Sequence, residues 1–329
     1  MTDPARAVEA ALPDDPGRLS VFDLHDPEFQ ASLPEARFSY TVIPPGLGGP
    51  GRDFGLPWQI RETFDTVVLM APKSRDRLRM MLFLCASLLE VGGSLILVAP
   101  NRGAGGALSE LEMFGEVARL GSKAHHKAAM IRTSRREPFN LDTFETTAEV
   151  ATPDGPLLCS WFPGVFAAGR LDPATALLMD HLPPTGVHAM DLGTGCGVLT
   201  AFLARRSFTT CGFDADAFAV EATIRTTSRN ALGGVSLGWG TVIEGHGNSE
   251  PDDLCDLIVS NPPFHEGLRT TTDPAKALMR EARDYLSPDG QLMIVANGFL
   301  PYDRELREHY GQVKCLADNG RYKVWRARP

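Results

Sequence analysis

The chain has 329 residues, 43% hydrophobic and 22% charged, and a formal net charge of −9. That length exceeds the usual ~100–200 residues of one domain, so two domains are expected. The acidic balance excludes a protein that coats nucleic acid non-specifically, although local basic patches remain compatible with it. Six cysteines (Cys85, Cys159, Cys196, Cys211, Cys255, Cys315) stand singly with no C-x-x-C pair. That pattern fits reduced thiols in a cytosol and offers neither a disulfide framework nor a metal site. Residues 1–17 are acidic without a long apolar run, and the longest apolar block, residues 80–89, is too short for a bilayer. A soluble cytoplasmic protein, with no membrane segment and acting as a monomer, is expected.

In chain order, "VFDLHDPEFQA" (21–31) and "FDTVVLMAPK" (64–73) open the first half, the second as an apolar strand. Between them "PPGLGGPGRDFG" (44–55) is glycine-rich but joins no clear strand to a helix, and reads as an ordinary loop. "LLEVGGSLILVAPN" (88–101) follows, then "GSKAHHKAAMIRTSRR" (121–136). The latter carries Lys123, Lys127, Arg132, Arg135 and Arg136 with no acid. Residues 143–166 predict a hairpin around a Pro-Asp-Gly turn that opens the second domain. The domains are thus read as 1–143 and 144–329. Beyond the hairpin, strands are predicted over 187–192, 209–214, 256–260 and 290–297, with helical periodicity over 198–206 and 217–232. Strands alternating with helices argue for an α/β fold with a mainly parallel sheet.

The halves repeat one another in order. "FDTVVLMAPK" parallels "CDLIVSNPPF", "LLEVGGSLILVAPN" parallels "YLSPDGQLMIVANG", and "VFDLHDPEFQA" parallels "GFDADAFAVEA". Asp23 and Asp65 are 42 residues apart, as are Asp214 and Asp256. A duplicated α/β unit follows. Asp191 lies 65 residues before Asp256, and the same count back from Asp65 exhausts the chain. The first copy is therefore expected to lack that strand and loop, and to be degenerate.

"MDLGTGCGVLTAFLARR" (190–206) follows a strand and opens a helix, the setting in which a glycine loop meets a ligand. Gly193, Gly195 and Gly197 allow a sharp turn and close backbone approach, and the helix start presents free N–H groups. A dinucleotide fold would place its third glycine at position 198, which is Val198. The pattern D-x-G-x-G-x-G instead resembles class I S-adenosylmethionine-dependent methyltransferases. That resemblance implies two tandem Rossmann-like domains, with Asp191, Gly193, Thr194, Gly195 and Gly197 at the cofactor. Asp214, 21 residues after Gly193, is placed to accept from both ribose hydroxyls, with Asp216 as a second candidate.

"SNPPFHEG" (260–267) ends a later strand of the same sheet, at the carboxyl edge where open α/β folds bind ligands. Prolines fix φ and cannot donate, so the loop is stiff and presents carbonyls. The Asn261 side-chain oxygen and the Pro262 carbonyl can accept both N–H bonds of an exocyclic amine, leaving its lone pair for a methyl donor. Pro263 stiffens the turn, and Phe264 offers a stacking face worth ~1–3 kcal/mol to a base. This tetrapeptide resembles the amino-methylating branch, which acts on adenine N6, cytosine N4, guanine N2 or a glutamine amide.

"SNPPFHEG", "ANGFLPY" (296–302), "NGRYKVWRA" (319–327) and "PGVF…LD" (163–172) together resemble the bacterial small-subunit ribosomal RNA guanine-N2 methyltransferase C family. The resemblance implies a degenerate first domain that supports RNA binding, and a catalytic second one acting on ribosomal RNA or a ribosomal subunit. It also implies that Phe166 and Asp172 line the entrance to the cofactor pocket, although Asp172 also suits a helix N-cap before "PATALLM". Asn261 would serve both cofactor and acceptor. His246 or Asn248 is the candidate at the cofactor adenine, His265 and Glu266 follow the reaction loop, and Asn297 and Phe299 are candidates to close the pocket. Arg321, Lys323, Arg326 and Arg328 form a second basic run. Methylation of a protein glutamine amide, or of adenine N6, is the alternative activity; an inactive scaffold is the alternative outside enzymology.

Overall fold

The structure, a computed structural model, describes residues 1–43, 56–136, 138–167, 169–240, 254–262 and 273–329. They fall into two units: residues 1–42 and 56–145 form the first, residue 43 and residues 146–329 the second. Continuous apolar runs are stable as strands only where both faces are covered. Val67, Val68 and Leu69 in one unit, and Leu257, Ile258 and Val259 in the other, are all buried at 1% exposure or less. Each such side chain contributes about 1.5–3 kcal/mol on burial, which fixes these two runs at the centre of their sheets.

The first unit runs α1 (Asp3–Ala11), β1 (Leu19–Phe22), α2 (Pro27–Ser32), β2 (Arg37–Ser39), β3 (Phe64–Met70), α3 (Arg75–Ser87), β4 (Leu89–Pro100), α4 (Ala104–Leu111), β5 (Ala118–Lys123) and β6 (His126–Arg132). Its sheet has the order β2-β1-β3-β4-β6-β5. The first four strands are parallel, and β6 and β5 return antiparallel. Side-chain caps mark the helix starts: Thr2 for α1, Asp26 for α2 and Ser74 for α3 each accept a backbone N–H of the first turn.

The second unit runs β7 (Thr146–Val150), β8 (Leu157–Trp161), α5 (Pro173–Met179), β9 (His188–Leu192), α6 (Val198–Arg205), β10 (Thr209–Asp214), α7 (Ala217–Arg229), β11 (Val235–Trp239), β12 (Cys255–Ser260), α8 (Asp273–Ala282), β13 (Leu286–Asn297), α9 (Tyr302–His309), β14 (Gln312–Asp318) and β15 (Tyr322–Arg328). The hairpin expected around Pro153-Asp154-Gly155 is present as β7 and β8, antiparallel and separate from the main sheet. That main sheet has the order β11-β10-β9-β12-β13-β15-β14.

Set side by side, the two orders differ by one strand. The first unit's β2, β1, β3, β4, β6 and β5 correspond to β11, β10, β12, β13, β15 and β14. Among the described residues nothing in it corresponds to β9, so β1 pairs directly with β3. The repeat otherwise extends to irregularities. The β3–β4 pairing shifts register at Asp65, and the β12–β13 pairing shifts at Asp256. Each aspartate accepts a backbone N–H at the start of the strand on its other side, from Arg18 just before β1 at 2.8 Å and from His188, the first residue of β9, at 3.1 Å. Both units place a glycine where a Cβ would strike backbone oxygen, Gly93 at 2.9 Å and Gly290 at 2.6 Å. The fold is the expected tandem α/β pair with a degenerate first member.

Candidate active site

Strand β9 carries Asp191 and ends at Leu192, and the chain then turns sharply into α6. Gly193, Gly195 and Gly197 have φ of +82°, +55° and +79°, a region that favours glycine. The loop is tied down by its own backbone: Gly193 N–H donates to the Phe213 carbonyl at 2.8 Å, and Gly197 N–H to the Thr194 carbonyl at 2.8 Å. Gly197 has a second reason to be glycine, since a Cβ there would meet the Thr223 Cγ2 at 2.7 Å and its Cα at 2.8 Å. At Gly193 a Cβ would meet nothing within 4 Å. Gly197 thus packs the loop onto α7, while Gly193 borders open space. Helix α6 starts with no side-chain cap, so its first N–H groups are not satisfied in the usual way.

Two carboxyl groups hold this loop. Asp191 is fully buried; its Oδ2 accepts from Thr200 Oγ1 at 2.7 Å, and its Oδ1 has no partner among the described residues. Burial pushes its pKa up to about 6. Asp214, at the end of β10, accepts from Gly195 N–H through Oδ2 and from Asp216 N–H through Oδ1, each at 2.9 Å. Burial, with the neighbouring Asp216 charge, raises its pKa to about 7. Asp214 is nevertheless only half-buried, so one side stays accessible at the mouth of the loop. Asp216 is a helix cap, its Oδ1 accepting from Phe218 N–H at 3.0 Å.

The reaction loop begins where β12 ends. Ser260 Oγ donates to the Leu192 carbonyl at 2.7 Å, tying the end of β12 to the end of β9. Next in the chain, Asn261 donates through Nδ2 to Asp172 Oδ2 at 3.0 Å and to Thr175 Oγ1 at 2.9 Å. Its Oδ1 is buried with no partner among the described residues. Phe166, 57% exposed, roofs the loop with its Cβ close to Gly195. Phe166, Asp172, Thr175, Gly193, Gly195 and Asn261 line a small pocket of about 30 Å³, and a groove of about 470 Å³ lined by Phe166, Ala167, Arg170 and Asp172 shares part of its wall.

Of the residues singled out in the sequence, the structure thus brings Phe166, Asp172, Gly193, Thr194, Gly195 and Asn261 to one pocket. Asp191, Gly197 and Asp214 support its glycine loop from behind or beside it. Pro262 is buried next to Asn261. Asn297 and Phe299 do not line the pocket, and Phe299 is 71% exposed. Pro263, Phe264, His265, Glu266, His246, Asn248 and the loop 44–55 lie outside the described residues. Sequence reasoning missed Thr175 and the double duty of Asp172, which both caps α5 and holds Asn261. The Asp172-Pro173-Ala174-Thr175 spacing gave the cap alone as its signal.

The arrangement suits a cationic nucleoside. Asp214 keeps a partly exposed carboxyl beside the loop, Gly193 leaves room for close backbone approach, and Asp191 Oδ1 is a buried acceptor without a partner among the described residues. Carboxyl groups gathered around one loop also favour positive charge nearby.

Comparison with known proteins agrees. Residues 159–326 match the model of the methyltransferase small domain, and residues 46–144 match that of the methyltransferase small domain N-terminal region. The ribosomal RNA small subunit methyltransferase C of Pseudomonas entomophila is 37% identical over 272 residues, covering 80% of this chain and 79% of that protein. Its namesake in Acinetobacter baumannii is 31% identical over 281 residues, covering 84% and 82%. Among solved structures, the T. thermophilus 16S rRNA N2 G1207 methyltransferase in complex with AdoMet and guanosine superposes with a TM-score of 0.79 at 25% identity, covering 97% of this chain and 90% of that one. With both domain models matched and such identity over most of its length, this chain belongs to the ribosomal RNA small subunit methyltransferase C family.

Proposed function

We propose that this chain transfers a methyl group from S-adenosylmethionine to the exocyclic N2 amine of a guanine in small-subunit ribosomal RNA. The observation that carries this reading is the shared pocket of the glycine loop and Asn261, whose buried Oδ1 has no donor among the described residues. S-adenosylmethionine, when bound, supplies an electrophilic methyl group on a positively charged sulfur. Gly193 and Gly195 would let the backbone approach it, Asp214 would accept from its ribose, and Asp191 would hold the loop. Phe166 would cover the pocket.

At the acceptor end, Asn261 Oδ1 and the Pro262 carbonyl receive the two amine hydrogens. Drawing those hydrogens out of the ring plane makes the nitrogen more tetrahedral and less delocalised. No side chain has to remove a proton first, because the proton leaves after methyl transfer has made the amine acidic. The acceleration comes from positioning and from fixed dipoles aimed at the reacting nitrogen. Phe264 would stack on the base.

The first unit would grip RNA. Its β5–β6 ribbon displays Arg119, Lys123, Lys127 and Arg132, all exposed, and Arg135 and Arg136 follow it. Such a stripe supplies phosphate contacts on a protein that is acidic overall. Among the described residues no helix is long and apolar enough to cross a membrane, and we read the protein as a cytoplasmic monomer. The test is labelled-methyl transfer to small ribosomal subunits from a strain lacking the modification, with mass-spectrometric mapping of the product. N2-methylguanosine at one position is expected. Label appearing as N6-methyladenosine, or on a release-factor glutamine instead of RNA, would overturn the reading.

A further inference from the structure

We propose that Asp172, together with Thr175, is a positioning residue that decides which way the Asn261 amide faces. This rests on the reading that Asn261 holds the acceptor amine. The two ends of an asparagine amide have nearly the same shape and opposite chemistry: the oxygen only accepts, and the nitrogen only donates. An Asn261 turned over would present two N–H bonds to an amine that itself donates, and could not hold it. Whatever fixes the amide therefore fixes whether the pocket works.

The partners determine that orientation twice. Asp172 Oδ2 accepts from Asn261 Nδ2 at 3.0 Å, and a carboxylate oxygen cannot serve the opposite end of the amide. Thr175 Oγ1 lies 3.4 Å from the same Oδ2 and donates its proton there. Its lone pairs are then the part that faces Asn261 Nδ2, at 2.9 Å. Both hydrogens of the amide nitrogen are thus engaged, and Oδ1 is left buried and open to a ligand donor. Turning the amide would set Oδ1 against the Asp172 oxygen and bring two N–H bonds to the buried Oδ1 position, where no acceptor stands among the described residues.

Asp172 is itself immobilised. The same oxygen accepts from the Ala174 and Thr175 backbone N–H groups, each at 2.9 Å, as the cap of α5. The start of a short helix thereby fixes a side chain 89 residues further along the chain. Helix cap and reaction residue are joined through one oxygen atom.

The role separates from mere stability by choice of variant. Asp172→Ser keeps a capping oxygen but does not reach Asn261; Thr175→Val keeps the branched shape and loses the acceptor; Asp172→Asn keeps both the cap and an acceptor oxygen. Measured with small ribosomal subunits at saturating cofactor, Asp172→Ser and Thr175→Val are expected to lower kcat roughly 10–100-fold. Cofactor affinity by calorimetry and the melting temperature stay close to wild type, and Asp172→Asn recovers most of the lost rate. Wild-type kcat in Asp172→Ser and Thr175→Val would overturn the proposal, and so would losses that simply track cofactor affinity or melting temperature. Asn261→Ala, run alongside, keeps the two readings apart: a normal rate there removes the role of Asn261 itself. An inactive Asn261→Ala beside fully active Asp172→Ser and Thr175→Val removes only the positioning role.

Discussion

Asp23, just after β1, and Asp214, at the end of β10, hold corresponding places in the two units, and each is half-buried with its pKa raised chiefly by burial. Their partners differ. Asp214 accepts from the Gly195 and Asp216 backbone, and so braces the glycine loop that lines the pocket. Asp23 accepts from both the N–H and the hydroxyl of Thr41, at 2.6 and 2.8 Å, and feels the charge of Arg77. One acid holds the glycine loop, and the other ties a loop to its own sheet. The two copies share strand order, register shifts and cramped glycines, and diverge at β9 with its glycine loop and at Asn261 after β12, where the first copy has Met70. A fold can therefore lose a central strand and keep its architecture, while the site disappears with that one strand.

Sharpening this contrast begins with the residue whose loss should matter most. Asn261→Ala is expected to cut methyl transfer by about 10²–10³-fold while calorimetry still shows cofactor binding. Met70→Ala, at the matching position of the first copy, should leave turnover unchanged. Next in size is Gly197→Ala. The added Cβ would press on the Thr223 backbone and force a strained φ, destabilising the second unit by about 1–3 kcal/mol in denaturant unfolding. A smaller effect tests the two acids. With a free-state pKa of about 7 for Asp214, cofactor affinity should rise about tenfold between roughly pH 6 and pH 8, as the carboxylate forms. Asp214→Asn should flatten that dependence, and Asp23→Asn should not.

The sign for stability is opposite. Folded-state pKa values of about 6 for Asp191 and about 7 for Asp214 lie above the unfolded value of 3.8. The native protein therefore binds more protons across that range, and the ligand-free second unit should lose stability as pH rises from about 4 to 7. A melting temperature that climbs over that window would contradict the assignment. The mildest test is reversal of charge at Arg132, Arg135 and Arg136. It should raise the KM for ribosomal subunits several-fold at low salt, without moving cofactor affinity.

Much of this was legible in the sequence because it is local. The 42-residue spacing revealed the repeat, since Asp65 and Asp256 do the same job on neighbouring strands. Strand, turn and helix are adjacent in the chain at 187–206, so the glycine loop could be read directly. The tie between Asp172 and Asn261 could not, because it joins residues 89 positions apart through a contact that only the packing of α5 creates. The separate reasons for Gly193 and Gly197 were hidden likewise: one faces open space and the other faces Thr223 on a different helix. Asn297 ends β13 and Phe299 lies beyond it, and neither is among the described residues that line the pocket.

The parallel sheets also have a point of reversal, where connections leave in opposite directions and a crevice opens beyond the strand ends. In the second unit it falls between β9 and β12; in the first, with β9 gone, it moves to the boundary of β1 and β3. The first unit thus inherits the topology of a binding crevice. What it lacks, among the described residues, is the glycine loop that follows β9 and an asparagine at the matching strand end, where Met70 stands. Topology marks where a ligand can bind, and the donors and acceptors left over after folding determine whether one does.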